Sequence, residues 1–161
     1  YSATPLVVNV PSYRGLENPF GHIWSWTDGC LCLIQSNDAG GRSIFYTCDN
    51  PANFGSATAS LANYQERGDL PRGEGYVKTM MVGEYGENMP IAIGGGASAT
   101  AYFCDYFYTN IPASGEALRG VLFGGSAFDG TAAGLAYANT FRVPASTYAY
   151  FGSRLCFIPA A

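Results

Sequence analysis

The stretch LRGVLFGGSAFDGTAAGLAYAN, residues 118–139, decides how the chain is read. Its first part, LRGVLFGG, is an apolar run of strand length that stops at Gly124 and Gly125. Glycines at Gly124, Gly125, Gly130 and Gly134, with Gly152 further on, supply tight bends and close backbone approach. A rigid frame built on them tolerates any side chain displayed between them. Just downstream, FRVPASTYAYFGSRL, residues 141–155, sets Phe141, Arg142, Tyr148, Tyr150 and Phe151 among small residues. Ser146, Tyr148 and Tyr150 are spaced by two, so in an extended segment they share one face, while Thr147, Ala149 and Phe151 take the other. Phe151 and Leu155 therefore read as core, and Phe141, Arg142, Tyr148 and Tyr150 as display. Tyr and Phe give large contact area at low entropic cost, and Ser and Asp add adaptable hydrogen bonds. The run ASTYAYF also reads as an ordinary strand with its Tyr hydroxyls near the rim.

Around this stretch lies a chain of 161 residues, 48% hydrophobic, 15% aromatic and 12% charged, which suits one compact domain rather than a disordered or highly charged one. The net charge of −4 and pI near 4.8 give no basic footprint for a phosphate backbone, so nucleic acid is excluded as an expected partner. No apolar run reaches the length of a membrane span, and the start, YSATPLVVNVPSY, lacks the charged-then-apolar build of a signal peptide.

Catalytic signals are sparse. Cys30, Cys32, Cys48, Cys104 and Cys156 form no CxxC pair, and His22 is the one histidine, a poor set for zinc. In CLCLI, alternation places Cys30 and Cys32 on one strand face as small buried hydrophobes, and the odd, scattered cysteines point to assembly in a reducing compartment. His22 sits beside Trp24 and Trp26 with no spacing that marks a nucleophile or orienting carboxylate, and reads as a hydrogen-bonded histidine next to aromatic core. Glu84, Glu87, Asp105 and Glu116 read as solvated loop charges. The GGGAS bend at 94–98 precedes a strand rather than a helix and does not match a phosphate loop. The expectation is no catalytic residue, no metal and no cofactor.

Turn residues punctuate short runs rich in β-branched and aromatic residues, among them SIFYTC, GYVKTMMVG, ATAYFCDYFYT, LRGVLFGG and SRLCFIP, which predict strands. One stretch, GSATASLANYQERGD at 55–69, predicts a helix capped by Ser56 or Thr58 and closed by Gly68.

Two segments carry a resemblance. FGHIWSWTDG, residues 20–29, resembles the Gly-x-Val-Trp-Glu-Trp element of the C-type-lectin-fold superfamily that includes formylglycine-generating enzymes. LRGVLFGGSAFDGTAAGLAYAN followed by GSRLCFI resembles that superfamily's closing Arg-Gly-Gly-Ser, Ala-Gly-Leu and Gly-x-Arg elements. Within it the chain is most similar to the variable proteins of diversity-generating retroelements, which occur in phage receptor-binding tips and bacterial surface proteins. Their mutagenised codons never yield Lys, Glu, Gln, Met or Trp, and here every such residue falls at or before Glu116.

The resemblance implies an α+β domain of C-type lectin fold, loop-rich with short antiparallel strands and one or two helices, spanning residues 1–161 with a variable region at 121–155. It implies displayed, ligand-binding positions at Ser126, Phe128, Asp129, Ala132, Tyr137, Phe141, Arg142, Ser146, Tyr148 and Tyr150, with Thr131 a further candidate. Gly124, Gly125, Gly134, Pro144, Gly152, Arg154 and Leu155 would be frame. The implied role is recognition of a protein or glycan receptor by a phage tail or fibre tip or a bacterial cell-surface protein, without membrane insertion, and as a homotrimer where it is part of a fibre. Two alternatives share the superfamily. A formylglycine-generating-type copper oxidase needs a cysteine pair near the domain end, where this tail has Cys156 alone and Cys104 lies far back. A calcium-dependent glycan-binding lectin needs Glu-Pro-Asn or Gln-Pro-Asp and a later Trp-Asn-Asp cluster, whereas this chain has Glu17, Asn18 and Pro19 in another order and no Trp after Trp26.

Overall fold

The computed structural model describes residues 12–84 and 87–153. Its strands are β1 (Ser12–Tyr13), β2 (Leu16–Glu17), β3 (Trp24–Gln35), β4 (Ser43–Thr47), β5 (Gln65–Asp69), β6 (Gly75–Val82), β7 (Asn88–Ile93), β8 (Tyr106–Thr109), β9 (Glu116–Phe123), β10 (Ala138–Thr140) and β11 (Phe151–Gly152). β1 and β2 form a small hairpin of their own. The rest make one sheet in the order β5-β4-β3-β9-β10-β8-β6-β7, with β11 added beside β3. That sheet curls into a nearly closed barrel. Its two edges meet through side chains: Arg67 on β5 pairs with Glu87, which leads into β7, at 2.7 Å.

Alternation along the strands explains the layers. Phe107 and Thr109 on β8, Val121 on β9, and Ala138 and Thr140 on β10 are buried. With Cys32, Ile34, Phe45, Val77 and Met89 they define the barrel interior, where Phe107, Ile34 and Met89 are the largest side chains shut off from solvent. Each contributes about 1.5–3 kcal/mol by burial alone. Residues of opposite parity, Tyr106, Tyr108 and Leu122, join Trp24 and Trp26 in a second cluster outside the barrel. A bulge in β3 between Thr27 and Leu31 changes the parity, so Trp24 belongs to the outer cluster and Cys32 to the inner one on the same strand.

The α+β expectation, with its one or two helices, is overturned: the protein is mostly β, 43% strand and 11% helix, its sheet a nearly closed barrel. Among the described residues the short helical segments are all of 3-10 type, the longest being Thr58–Asn63. The stretch 55–69 fails as a helix because its second half is claimed by the sheet, with Gln65–Asp69 pairing antiparallel to β4. What remains is the six-residue stretch Thr58–Asn63, too short to sustain an α-helix. The segment is capped by neither Ser56 nor Thr58, its N-cap being Ala57, and Gly68 sits in the strand at the β4–β5 bulge instead of closing a helix. ATAYFCDYFYT yields a strand only at Tyr106–Thr109, since Tyr102 and Cys104 adopt positive φ and break the run before it. The SRLCFIP run, with Arg154, Leu155 and Cys156, lies outside the described residues.

Candidate functional site

Downstream of β9 the chain folds back across the outer face of the barrel and encloses a cleft of about 370 Å³. Its floor comes from the sheet: Trp24, Tyr108 and Asn139 face the cleft from β3, β8 and β10. Trp24 meets Tyr137 edge-on at 4.5 Å, and Tyr106 meets Tyr137 at 5.9 Å.

One wall is the turn 124–133. Gly124 and Gly125 have φ of +94° and +76°, and a Cβ on Gly125 would lie 2.8 Å from that of Ala133, so the reversal after β9 requires glycine on both counts. The turn is tied to the segment before β3 by Gly21 N–H donating to Gly124 O and Ala127 N–H donating to His22 O. Inside it the carboxylate of Asp129 accepts two hydrogen bonds from Ser126, one from the backbone N–H and one from the hydroxyl, both at 2.6 Å. The Tyr137 hydroxyl donates to the other oxygen at 3.4 Å. Burial, and then the charge of Asp129, push the Tyr137 phenol far above its ordinary value, so it stays a neutral donor. Beyond the turn, Asp105 accepts from Ala136 N–H, and a side chain at Gly134 would collide with that carboxylate.

The other wall is the segment 141–151. Gly120 N–H donates to Arg142 O, Trp24 N–H to Tyr150 O, and β11 then pairs in parallel with the start of β3. The Arg142 guanidinium lies over the Phe141 ring at 4.6 Å and the Tyr148 ring at 4.7 Å, and donates to the Tyr148 hydroxyl at 3.2 Å. Tyr148 and Tyr150 stack at 5.3 Å with planes 23° apart. Phe151 anchors this group against Trp26 at 5.5 Å.

The structure brings Ser126, Phe128, Asp129, Tyr137, Phe141, Arg142 and Tyr150 to this one cleft, with Tyr148 on its rim against Arg142 and Tyr150. Their exposure divides them. Phe128 is 90% exposed and Tyr148 45%, whereas Ser126 at 4% and Tyr137 at 5% are buried and hold the wall together. Ala132 packs against the outer cluster and Thr131 is exposed. Ser146 is half-buried in a turn, its N–H bonded to Val143 O, and does not face the cleft with the tyrosines. Segment 143–150 is irregular rather than extended, and Thr147 and Ala149 are exposed, so the packed opposite face expected from alternation does not form. Phe151 does pack inward. Leu155 lies outside the described residues. His22 is exposed, and its backbone forms a bridge to Ser126 instead of the imidazole joining the aromatic core.

Sequence reasoning missed Trp24, Tyr108, Asn139 and Arg119. The period-2 pattern of YFYT placed Tyr108 opposite Phe107, which was the available signal. Arg119 lay hidden in a run read only as a strand. Its guanidinium lies 5.8 Å from the Phe141 ring, and its Nε is buried without a hydrogen-bond partner.

A second cleft of about 400 Å³, beside Trp26, Asp28, Cys30, Phe54 and Pro144, offers no ready nucleophile. Burial, reinforced by Glu87 and Asp28, pushes the Cys30 thiol up to about 11 and keeps it protonated at neutral pH. Among the described residues no three His, Cys, Asp or Glu side chains gather as metal ligands. Compared with known proteins, the chain matches no family model, no curated protein and no solved structure.

Proposed function

We propose that this chain is a target-binding display module, with the aromatic cleft and its rim as the binding face. The observation that carries the reading is the convergence on one cleft of side chains from two separate stretches, the turn after β9 and the segment before β11. The outermost, Phe128 and Tyr148, are large apolar rings left in solvent. Large rings left in solvent at the rim of a cleft suit contact with a partner, and rigid aromatic rings are the side chains that dominate binding hot spots. The frame is fixed from beneath by strand pairing, by Asp129 and by the Trp24–Tyr137 contact, so rim side chains are free to differ without rebuilding it.

The class of protein this suits is a receptor-recognition module such as the variable proteins of diversity-generating retroelements, at a phage fibre tip or on a bacterial surface. The tail after Glu116, free of Lys, Glu, Gln, Met and Trp, supports that reading. It acts by shape and contact, without chemistry. To test it, tagged protein is applied to a panel of bacterial cells and a glycan array, beside a Phe128→Ala/Tyr148→Ala variant with the same melting temperature. Retention that the variant loses is expected. Retention unaffected by the variant, or none on any surface, contradicts the proposal.

A further inference from the structure

Arg119 and Arg142 sit together against one aromatic ring, Phe141, and among the described residues neither makes an ion pair. Their guanidinium carbons lie 5.8 and 4.6 Å from its centroid. The chain holds 12 acidic side chains, and all of them fall in the described stretches. Among the described residues, Arg42 and Arg67 pair with acidic side chains, whereas Arg119 and Arg142 do not. Arg142 donates to the Tyr148 hydroxyl, and the Nε of Arg119 is buried with no acceptor. A buried donor left unmet costs free energy, so Arg119 carries a charge that its own surroundings do not satisfy. Two like charges held close in a chain of net charge −4 form a local positive spot in an otherwise acidic protein. Burial, and then the neighbouring Arg142, lower the Arg119 pKa, in keeping with a site short of negative charge.

Building on the target-binding reading, we propose that the cleft takes an acidic sugar, its carboxylate held at Arg142, with the neighbouring Arg119 adding positive charge, and its ring face on the Phe141–Tyr148–Tyr150 rim. The guanidinium fork matches a carboxylate, and the same cleft presents Asn139 and Asp129 to hydroxyl groups. The volume of about 370 Å³ suits one or two sugar units. A peptide is the weaker fit, because backbone bordering the cleft is already engaged: Arg142 O and Tyr150 O both accept from strand N–H groups.

The test is an array of uronic- and sialic-acid oligosaccharides, their methyl esters, neutral counterparts and acidic peptides, probed with the full chain. Arg142→Gln and Arg119→Gln are run in parallel, with Arg142→Lys as a variant that keeps the charge and the melting temperature checked for each. Retention of an acidic glycan, weakened about tenfold or more by esterification and by Arg142→Gln, is expected. The Lys variant should fall between, and added salt should weaken the wild type. Binding to neutral glycans or to acidic peptides, lost in Phe128→Ala/Tyr148→Ala but unmoved by Arg142→Gln, overturns this proposal and leaves the target-binding reading intact. An array and cell panel with nothing retained overturns both.

Discussion

Asp129 holds Ser126 through two hydrogen bonds to one carboxylate oxygen, each 2.6 Å long. Two positions that read from the sequence as displayed are thus the latch of the cleft wall. Asp129→Ala removes both bonds and leaves the buried Ser126 N–H and hydroxyl without their acceptor. Unfolding in urea should show a loss of about 1.5–3 kcal/mol, and Asp129→Asn a smaller one, because its amide oxygen still accepts. Equal losses for the two would mean that the latch does not depend on charge.

Asp105 provides a pH signature. Burial raises its carboxyl above the ordinary value, against the opposing hydrogen bond from Ala136 N–H. The folded state therefore holds the proton more tightly than the unfolded one. The stabilisation from this group is present below the unfolded pKa and is lost as pH rises through the folded pKa. Asp105→Asn keeps an acceptor for Ala136 and cannot ionise. Its stability relative to wild type should increase from acidic to neutral pH, measured by denaturant unfolding at each pH. A difference that stays flat or declines over that window contradicts the assignment.

The barrel seam rests on Arg67 and Glu87, paired at 2.7 Å with both side chains largely buried. Glu87→Ala keeps the bond from Arg67 to Thr47 and removes the Glu87 charge beside it. Breaking a buried pair on one side costs about 3–5 kcal/mol. Hydrogen exchange should report faster opening of β5 and β7 than of β3 and β9, and uniform loosening of all strands would argue against a local seam.

Much of the barrel was legible as short apolar runs. SIFYTC, GYVKTMMVG and LRGVLFGG became β4, β6 and β9, and CLCLI carried Cys32 into the core. What the sequence concealed was pairing across distance. Gln65–Asp69 reads as the end of a helix until β4 is beside it, and the parallel contact of β10 with β8 joins residues about thirty apart that no local pattern links. The candidate site was legible where glycines bracket large side chains, which picked out Phe128, Phe141, Arg142, Tyr148 and Tyr150. It was misread at Ser126 and Tyr137, because whether a small polar or aromatic residue points out depends on a partner, Asp129 or Trp24, that only the fold supplies. Arg119 went unnoticed because its distinction, a buried Nε without an acceptor, belongs to three-dimensional surroundings alone.

The central claim is that one frame carries a replaceable face. Its most direct measurement is the melting temperature of a library in which Phe128 and Tyr148, the exposed rim side chains, are substituted together by small, polar and aromatic residues. Most members should fold and melt within a few degrees of wild type, since exposed substitutions cost about 0.5 kcal/mol or less, while the same substitutions at Ser126, Asp129 and Tyr137 should lower the melting temperature far more. A library whose rim variants unfold as readily as the latch variants would show that these side chains are structural, and would contradict it.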